Sequence, residues 1–327
     1  MSFDRVLGQK EAKKILGDEL DSGRISHAYL FVGKKGLGKK EMAYEFVKAL
    51  LCGSEGLEGC GDCIICRKIE HNNHADVRLL TLEEESSSIK ISQIREMQKE
   101  LVYKPYESEQ KVYIIDHADQ MTPQAANSLL RTLEEPPDYA VLILLAEEIN
   151  QLLPTIISRC QQIFFYNVES EKISQKLQQE GSPPQKADLY SRLADGSPGQ
   201  ARELKEDADF LEKRNRILDF VSDLPHKKRV EIFSEAEQIK KMLDEGFPLF
   251  NLISGWYRDI ILYIEGQKNQ IVNVDYMSDI KEKKEQYTAA EINNFLEDIQ
   301  KTKEDVKRNV NKELALDVLF IRLCSGR

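Results

Sequence analysis

Gly33, Gly36 and Gly38 precede Lys39 and Lys40 in the run Gly33-Lys34-Lys35-Gly36-Leu37-Gly38-Lys39-Lys40, which has the spacing of a phosphate loop. Such a loop works because glycines let backbone N–H groups turn into a phosphate at a helix N-terminus, where the helix dipole also favours an anion. The pattern G-x-x-x-x-G-K-[ST] is met everywhere but at its last position. Lys40 stands there in place of the hydroxyl residue that ligates Mg²⁺, and an ammonium has no lone pair to give and repels the cation. The loop therefore reads as degenerate. Hydrolysis at this site is expected to be gone, although loss of phosphate binding does not follow.

Two further segments carry chemistry of the same kind. The run Val112-Tyr113-Ile114-Ile115-Asp116 ends on a carboxylate able to hold Mg²⁺, but the next position, where a glutamate commonly polarises the attacking water, is His117, followed by Asp119. A neutral imidazole can act as a base; the expectation here is a structural histidine in place of a discarded base. Ser158-Arg159-Cys160 follows Pro154-Thr155-Ile156-Ile157. An arginine presented there can reach a nucleotide on a neighbouring subunit, because guanidinium stays charged and matches the γ-phosphate. The alternative is a surface arginine paired with a carboxylate.

Cys52, Cys60, Cys63 and Cys66 place four soft ligands in one short stretch, with Gly53, Gly56, Gly59 and Gly61 among them to let the thiolates converge. Tetrahedral, structural Zn²⁺ suits this set, with no open position for catalysis. An iron–sulfur cluster is the alternative, since C-x₂-C-x₂-C opens the bacterial ferredoxin pattern, but the downstream x₃-Cys-Pro is missing. His71 and His74 lie close enough to replace one thiolate, though the linker to the next strand is their expected place. Cys160 and Cys324 stand alone and read as small buried hydrophobes.

These groups need a scaffold, and the apolar pattern supplies one. The chain has 327 residues, 41% of them hydrophobic, which predicts two or three domains. Its net charge of −10 excludes a global basic field for nucleic acid and leaves room only for a local basic face. No apolar run approaches the roughly 18 residues of a membrane span. Met1 leads into polar sequence rather than a signal peptide, so a cytoplasmic protein is expected. Strands are predicted at 27–32, 76–82, 111–116, 139–146 and 161–166, alternating with helical patterns, the signal of a parallel sheet covered by helices. Thr122 is positioned to cap a helix that Pro123 opens, Leu129, Leu130 and Leu133 stripe, and Pro136-Pro137 end. Beyond residue 166 nearly everything reads as helix, with Phe220, Phe250, Trp256, Ile260, Leu262, Phe295, Leu314, Leu319 and Ile321 as apolar positions of a separate domain, and Lys281 to Glu285 as a solvated charge run.

Together, the opening Phe3-Asp4-Arg5-Val6-Leu7-Gly8-Gln9, the segment Ser26 to Phe31, the four-cysteine insertion, Asn127 to Pro137 and Ser158-Arg159-Cys160 resemble bacterial clamp-loader subunits of the AAA+ class. Because of its broken loop the chain is most similar to the delta-prime type of the DNA polymerase III clamp loader. The specific motifs cover residues 1–207; beyond them the likeness rests on helical character and the Trp256 to Ile260 stretch. The resemblance implies an α/β AAA+ domain over 1–166 with a zinc-binding insertion at 52–66, a helical lid over 167–207 and an all-α collar over 208–327. It implies a five-subunit, ATP-driven machine that opens the ring-shaped sliding clamp and sets it on primed DNA. Partners would be gamma/tau motor subunits and a delta subunit, with no membrane. In that machine this type of subunit is a stator that does not use ATP and Mg²⁺ productively, while Arg159 serves as a finger in the ATP site of the adjacent motor. Motor subunits carry a nucleotide-sensing arginine in the lid; Gly199 occupies that position here. The helix bearing Arg131 is set either toward the DNA chamber or simply onto the sheet. Two other readings stand beside this one: a divergent active ATPase using Lys39, Asp116 and His117, and a zinc-bearing interaction module unrelated to replication.

Overall fold

The computed structural model describes residues 2–53, 59–84, 86–308 and 310–325; Gly56 of the cysteine segment lies outside them. The chain divides into two compact units, Met1–Gly181 with Ala194–Ala201, and Ser182–Leu193 with Arg202–Arg327.

The first unit is built on five strands: β1 (Ala28–Val32), β2 (Val77–Leu80), β3 (Lys111–Ile115), β4 (Ala140–Ala146) and β5 (Gln161–Phe164). They form one parallel sheet in the order β2-β3-β4-β1-β5. All five predicted strands are present, each trimmed by up to two residues at an end. β1, β3 and β4 are buried along their whole length, as strands covered on both faces must be, which is why they appear in sequence as apolar runs, β3 after its buried first residue Lys111. The twofold side-chain alternation sorts them into two layers. Leu30, Leu142 and Leu144 face one core with Ile94, Met97 and Leu129; Tyr29, Phe31 and Ile143 face the other with Leu16, Met42 and Phe46.

Helices α1 (Lys10–Ser22), α2 (Lys39–Leu51) and α3 (Ile64–Glu70) cover the Phe31 face, whereas α4 (Ile91–Leu101), α5 (Pro123–Glu134) and the short α6 (Pro154–Ile157) cover the Leu30 face. The boundaries of α5 follow its capping residues: Thr122 Oγ1 accepts from Ala125 N–H at 3.2 Å and Pro123 takes the first turn. Helix α7 (Ser170–Gln179) closes the unit. From β1 the chain passes to the far edge at β2, returns through β3 and β4, and crosses to β5. The chain reverses its direction of progress beside β1, and it is at the carboxyl ends of the strands at such a point that α/β sheets bind ligands.

The second unit holds α8 (Pro184–Leu193), most of α9 (Pro198–Glu206), and α10 (Phe210–Asp223), α11 (Arg229–Asp244), α12 (Leu249–Ile264), α13 (Met277–Lys283), α14 (Ala289–Lys307) and α15 (Lys312–Ser325). Its centre is α12, which buries Phe250, Ile253, Trp256, Tyr257 and Ile260, as a helix apolar on most sides must. Phe220, Phe295 and Leu319 join this core, Leu262 lies at its margin, Ile321 is half-buried, and Leu314 is 62% exposed, against the expectation from its type. Helical spacing puts Leu314 on α15 but does not say which side meets a neighbour.

A polar knot sits inside this core. The fully buried Asp259 carboxylate accepts from the backbone N–H groups of Val272 and Asn273, at 3.1 and 2.7 Å, and from the Asn273 amide at 2.8 Å. Buried Arg214 donates to both carboxylate oxygens of Asp275, at 2.7 and 2.8 Å, and to Asn273 Oδ1 at 2.7 Å. The 271–276 segment is thereby held between α10 and α12. Asp259→Ala leaves buried donors without acceptors and is expected to cost about 2–4 kcal/mol, with Asp259→Asn costing less. Urea unfolding followed by the emission of Trp256, the one tryptophan in the chain, measures this directly.

Candidate functional site

The phosphate loop leaves the carboxyl end of β1 and enters α2. Its start is fixed by Gly33 N–H donating to the Ala146 carbonyl at 3.1 Å. Gly36 and Gly38 take positive φ values of 76° and 88°, and a Cβ would meet Ser197 Oγ at 2.4 Å in the first case and Val6 Cγ1 at 2.8 Å in the second. Glycine is required at both positions, by backbone conformation and by space.

The two lysines of the loop are turned onto this chain's own acceptors. Lys39 is buried, and its ammonium donates to the carbonyls of Gly33 and, at 2.9 Å, Lys34. Burial pulls its pKa down; the charges of Glu147, Asp116 and Asp119 partly offset this. Lys40 Nζ lies 3.2 Å from Asp116 Oδ2. The other oxygen of Asp116 accepts from His117 N–H at 3.1 Å, and His117 itself takes a left-handed φ of 58°. Asp119 Oδ2 accepts from the N–H groups of Glu147 and Glu148, at 2.8 and 3.0 Å, and so fixes the end of β4. Glu147 is a site residue that sequence reasoning missed. Only the sheet order brings the end of β4 beside β1, and the strand's apolar pattern stops one residue before it.

The 195–199 segment closes on the same loop. Gly199 N–H donates to the Gly36 carbonyl at 2.8 Å, Ser197 Oγ donates to the Lys35 carbonyl at 2.9 Å, and Lys34 pairs with Asp195 at 2.8 Å. A Cβ on Gly199 would stand 2.7 Å from Gly36 Cα, so no side chain fits here without moving backbone.

Arg159 belongs to a different setting. It follows α6, its Nη1 donates to the Thr155 carbonyl at 3.0 Å, and its Nη2 pairs with Glu134 Oε1 at 2.7 Å, with 35% of the side chain exposed. These partners lie on α6 and at the end of α5, so the guanidinium does not serve its own chain's loop. The carboxylate pairing named above as an alternative is present. Cys160 beside it is buried, and burial pushes its thiol pKa up to about 12.

The cysteine segment joins α2 to α3. Cys52 caps the end of α2, Cys63 Sγ caps α3 by accepting from Cys66 N–H, and the other N–H···S contacts run from Cys60 to Cys52 at 3.4 Å and from Cys63 to Cys60 at 3.3 Å. His71 ends α3, and His74 is buried against Asp76 N–H and Ser108 in the linker to β2, outside the four-sulfur group.

Residues 8–169 match the family described as DNA polymerase III, delta subunit, and residues 208–324 match its C-terminal counterpart. The DNA polymerase III subunit delta′ of Bacillus subtilis is 33% identical, over 97% of each chain. This chain belongs to the DNA polymerase III delta′ family. Subunit tau of Bacillus subtilis is 28% identical over 98% of this chain, which spans 61% of that relative. A solved DNA polymerase III gamma subunit-related protein from Thermotoga maritima is 21% identical, covers 96% of this chain and 99% of its own, and superposes with a TM-score of 0.49. The fold of the delta′-family chain is the expected parallel-sheet α/β unit with a phosphate-type loop after β1, followed by helices.

Whether the four cysteines fit a metal is a matter of geometry. Thiolates at about 2.3 Å from a tetrahedral Zn²⁺ lie about 3.8 Å apart. The Sγ atoms of Cys52 and Cys63 are 3.8 Å apart, and all four lie within 4.8 Å of one another. The fit is good, and the N–H···S contacts supply the outer shell that thiolate ligands need. The Cys63 and Asp62 N–H groups lower the Cys60 pKa, whereas burial pushes Cys66 up to about 12. A metal must therefore displace a proton from Cys66, and binding is expected to weaken as pH falls. Purified protein is expected to carry about one zinc ion per chain by elemental analysis, and Cys66→Ser to lose most of it and melt at lower temperature. Iron with visible charge-transfer absorption would overturn zinc.

Proposed function

We propose that this chain is the non-hydrolysing stator of a DNA polymerase III clamp loader, contributing Arg159 in trans to the ATP site of a neighbouring gamma/tau motor subunit. One observation carries the reading: the Lys40 ammonium on Asp116. A catalytic loop needs a hydroxyl and a carboxylate converging on Mg²⁺ to neutralise phosphate charge. Here a fixed ammonium neutralises the carboxylate instead, and Lys39, which in a working loop reaches the phosphates, is committed to the Gly33 and Lys34 carbonyls. Glu147 adds negative charge beside it, and Gly199 on Gly36 excludes the lid arginine. The loop's geometry is kept as architecture. Lys39→Ala is expected to change nothing in ATP turnover by the isolated chain, which should stay at background with Mg²⁺ present.

The arginine half of the reading rests on presentation. Arg159 is partly exposed beyond a four-residue helix, with no role at its own chain's loop. Its guanidinium meets the charge that develops on a transferred phosphoryl group. With a delta subunit, the sliding clamp and primed DNA completing the assembly, the remaining parts follow: residues 167–207 act as the lid, 208–327 as the collar through which subunits associate, and zinc on the four cysteines stiffens the α2–α3 junction. The location is cytoplasmic; no helix among the described residues is long and apolar enough to cross a membrane. In a reconstituted loader, Arg159→Ala is expected to lower clamp- and DNA-stimulated ATP turnover at the adjoining site by about three orders of magnitude. Turnover by the isolated chain that disappears with Lys39→Ala would sink the stator half, and an unaffected Arg159→Ala loader would sink the finger half.

A further inference from the structure

We propose that Glu134 is the positioning residue for Arg159: its carboxylate sets the plane of the guanidinium before a neighbouring subunit presents its phosphate. The inference rests on the finger reading above and goes beyond it by assigning the group that aims the finger.

A guanidinium at the end of a long side chain needs two acceptors in its plane to hold one orientation. The structure supplies a carbonyl and a hydroxyl from the finger's own segment, the Ser158 Oγ contact being long at 3.5 Å, and a carboxylate from another helix. The Thr155 carbonyl, 3.0 Å from Nη1, belongs to α6 itself and travels with Arg159, so it fixes the side chain only relative to its own short helix. Glu134 Oε1, 2.7 Å from Nη2, belongs to the last turn of α5, whose opposite face buries Ala125, Leu129 and Leu133 against the sheet. Glu134 is thus the contact that ties the finger to the rigid body of the unit.

The placement of Glu134 is not explained by its own helix. A carboxylate in the last turn faces the negative end of the helix dipole. Arg131, one turn earlier on α5, offers a partner at helical spacing, yet Glu134 pairs with Arg159 from another element. With 49% of its side chain exposed, Glu134 has no packing role that would require the residue. Guanidinium has five donors, so these contacts leave donors for an arriving phosphate.

An exposed pair of this kind contributes little to stability; its value lies in geometry, where small misplacements of a reacting group are expensive. The test is a loader reconstituted with full-length Arg159→Ala, Glu134→Ala, Glu134→Gln and double-variant chains, scored for stimulated ATP turnover. Glu134→Ala is expected to lower kcat about five- to tenfold with KM for ATP nearly unchanged, the mark of an interaction used in the transition state. Glu134→Gln, which keeps a carbonyl acceptor, is expected to restore the rate to within about twofold of wild type. Adding Glu134→Ala to Arg159→Ala is expected to cost nothing more, because the two act as one unit. A wild-type rate for Glu134→Ala beside a collapsed Arg159→Ala overturns the positioning role and leaves the finger standing. A Glu134→Gln chain as poor as Glu134→Ala also overturns it, in favour of plain charge neutralisation. An unaffected Arg159→Ala removes the finger and this inference with it. Thermal melts of the exposed-site variants confirm that each one folds.

Discussion

Strand β1 is hydrogen-bonded to β4 on one side and to β5 on the other, and buried on both faces. A strand so enclosed has no freedom at its end, and the backbone leaving it is held as firmly as the strand: Gly33 N–H is on the Ala146 carbonyl and Phe165 N–H on the Val32 carbonyl. Everything in this unit that resembles nucleotide chemistry hangs from that point. The loop 33–38 follows β1, Asp116 follows β3 and Glu147 follows β4, so the sheet order decides that these charges meet. The cradle survives as geometry because the sheet demands it, whether or not a phosphate is ever held.

Within that rigid frame, the lysines and several carbonyls of the loop are paired within the chain. The Lys39 ammonium lies on loop carbonyls, Lys40 on Asp116, Lys34 on Asp195, and the carbonyls of Lys35 and Gly36 accept from Ser197 and Gly199. Such pairing satisfies the loop's donors and acceptors from within the chain, and buried donors and acceptors left alone are costly. Arg159, by contrast, is partly exposed and held by the Thr155 carbonyl, the Ser158 hydroxyl and the Glu134 carboxylate, away from the loop.

The elements were legible for simple reasons. A strand covered on both faces is apolar along nearly all its length, so β1, β4 and β3 beyond Lys111 stand out as unbroken runs. A capped helix announces its ends, so Thr122 and Pro123 marked the start of α5 and Pro136-Pro137 its stop. The cysteine cluster was legible because all four thiols lie within one loop-and-helix segment, where spacing nearly fixes geometry. Leu314, one of the apolar positions of the helical domain, is exposed; amphipathic spacing shows that a helix has an apolar stripe and not which residues of it find a neighbour.

Residue types and local spacing determined the phosphate-loop motif, the four-cysteine cluster, the parallel α/β class and the absence of a hydroxyl at Lys40. These are local properties, carried by hydrogen-bonding capacity, side-chain chemistry and the periods of helix and strand. What only the tertiary structure decided is partnership: Lys40 with Asp116, Gly199 with Gly36, Arg159 with Glu134, Asp259 with Asn273, and Glu147 beside Lys39. Each joins separate elements, and their meeting depends on the strand order and helix packing that bring those elements together. No short-range pattern encodes that, because the energy of such a contact exists only after the chain has closed the loop between its ends.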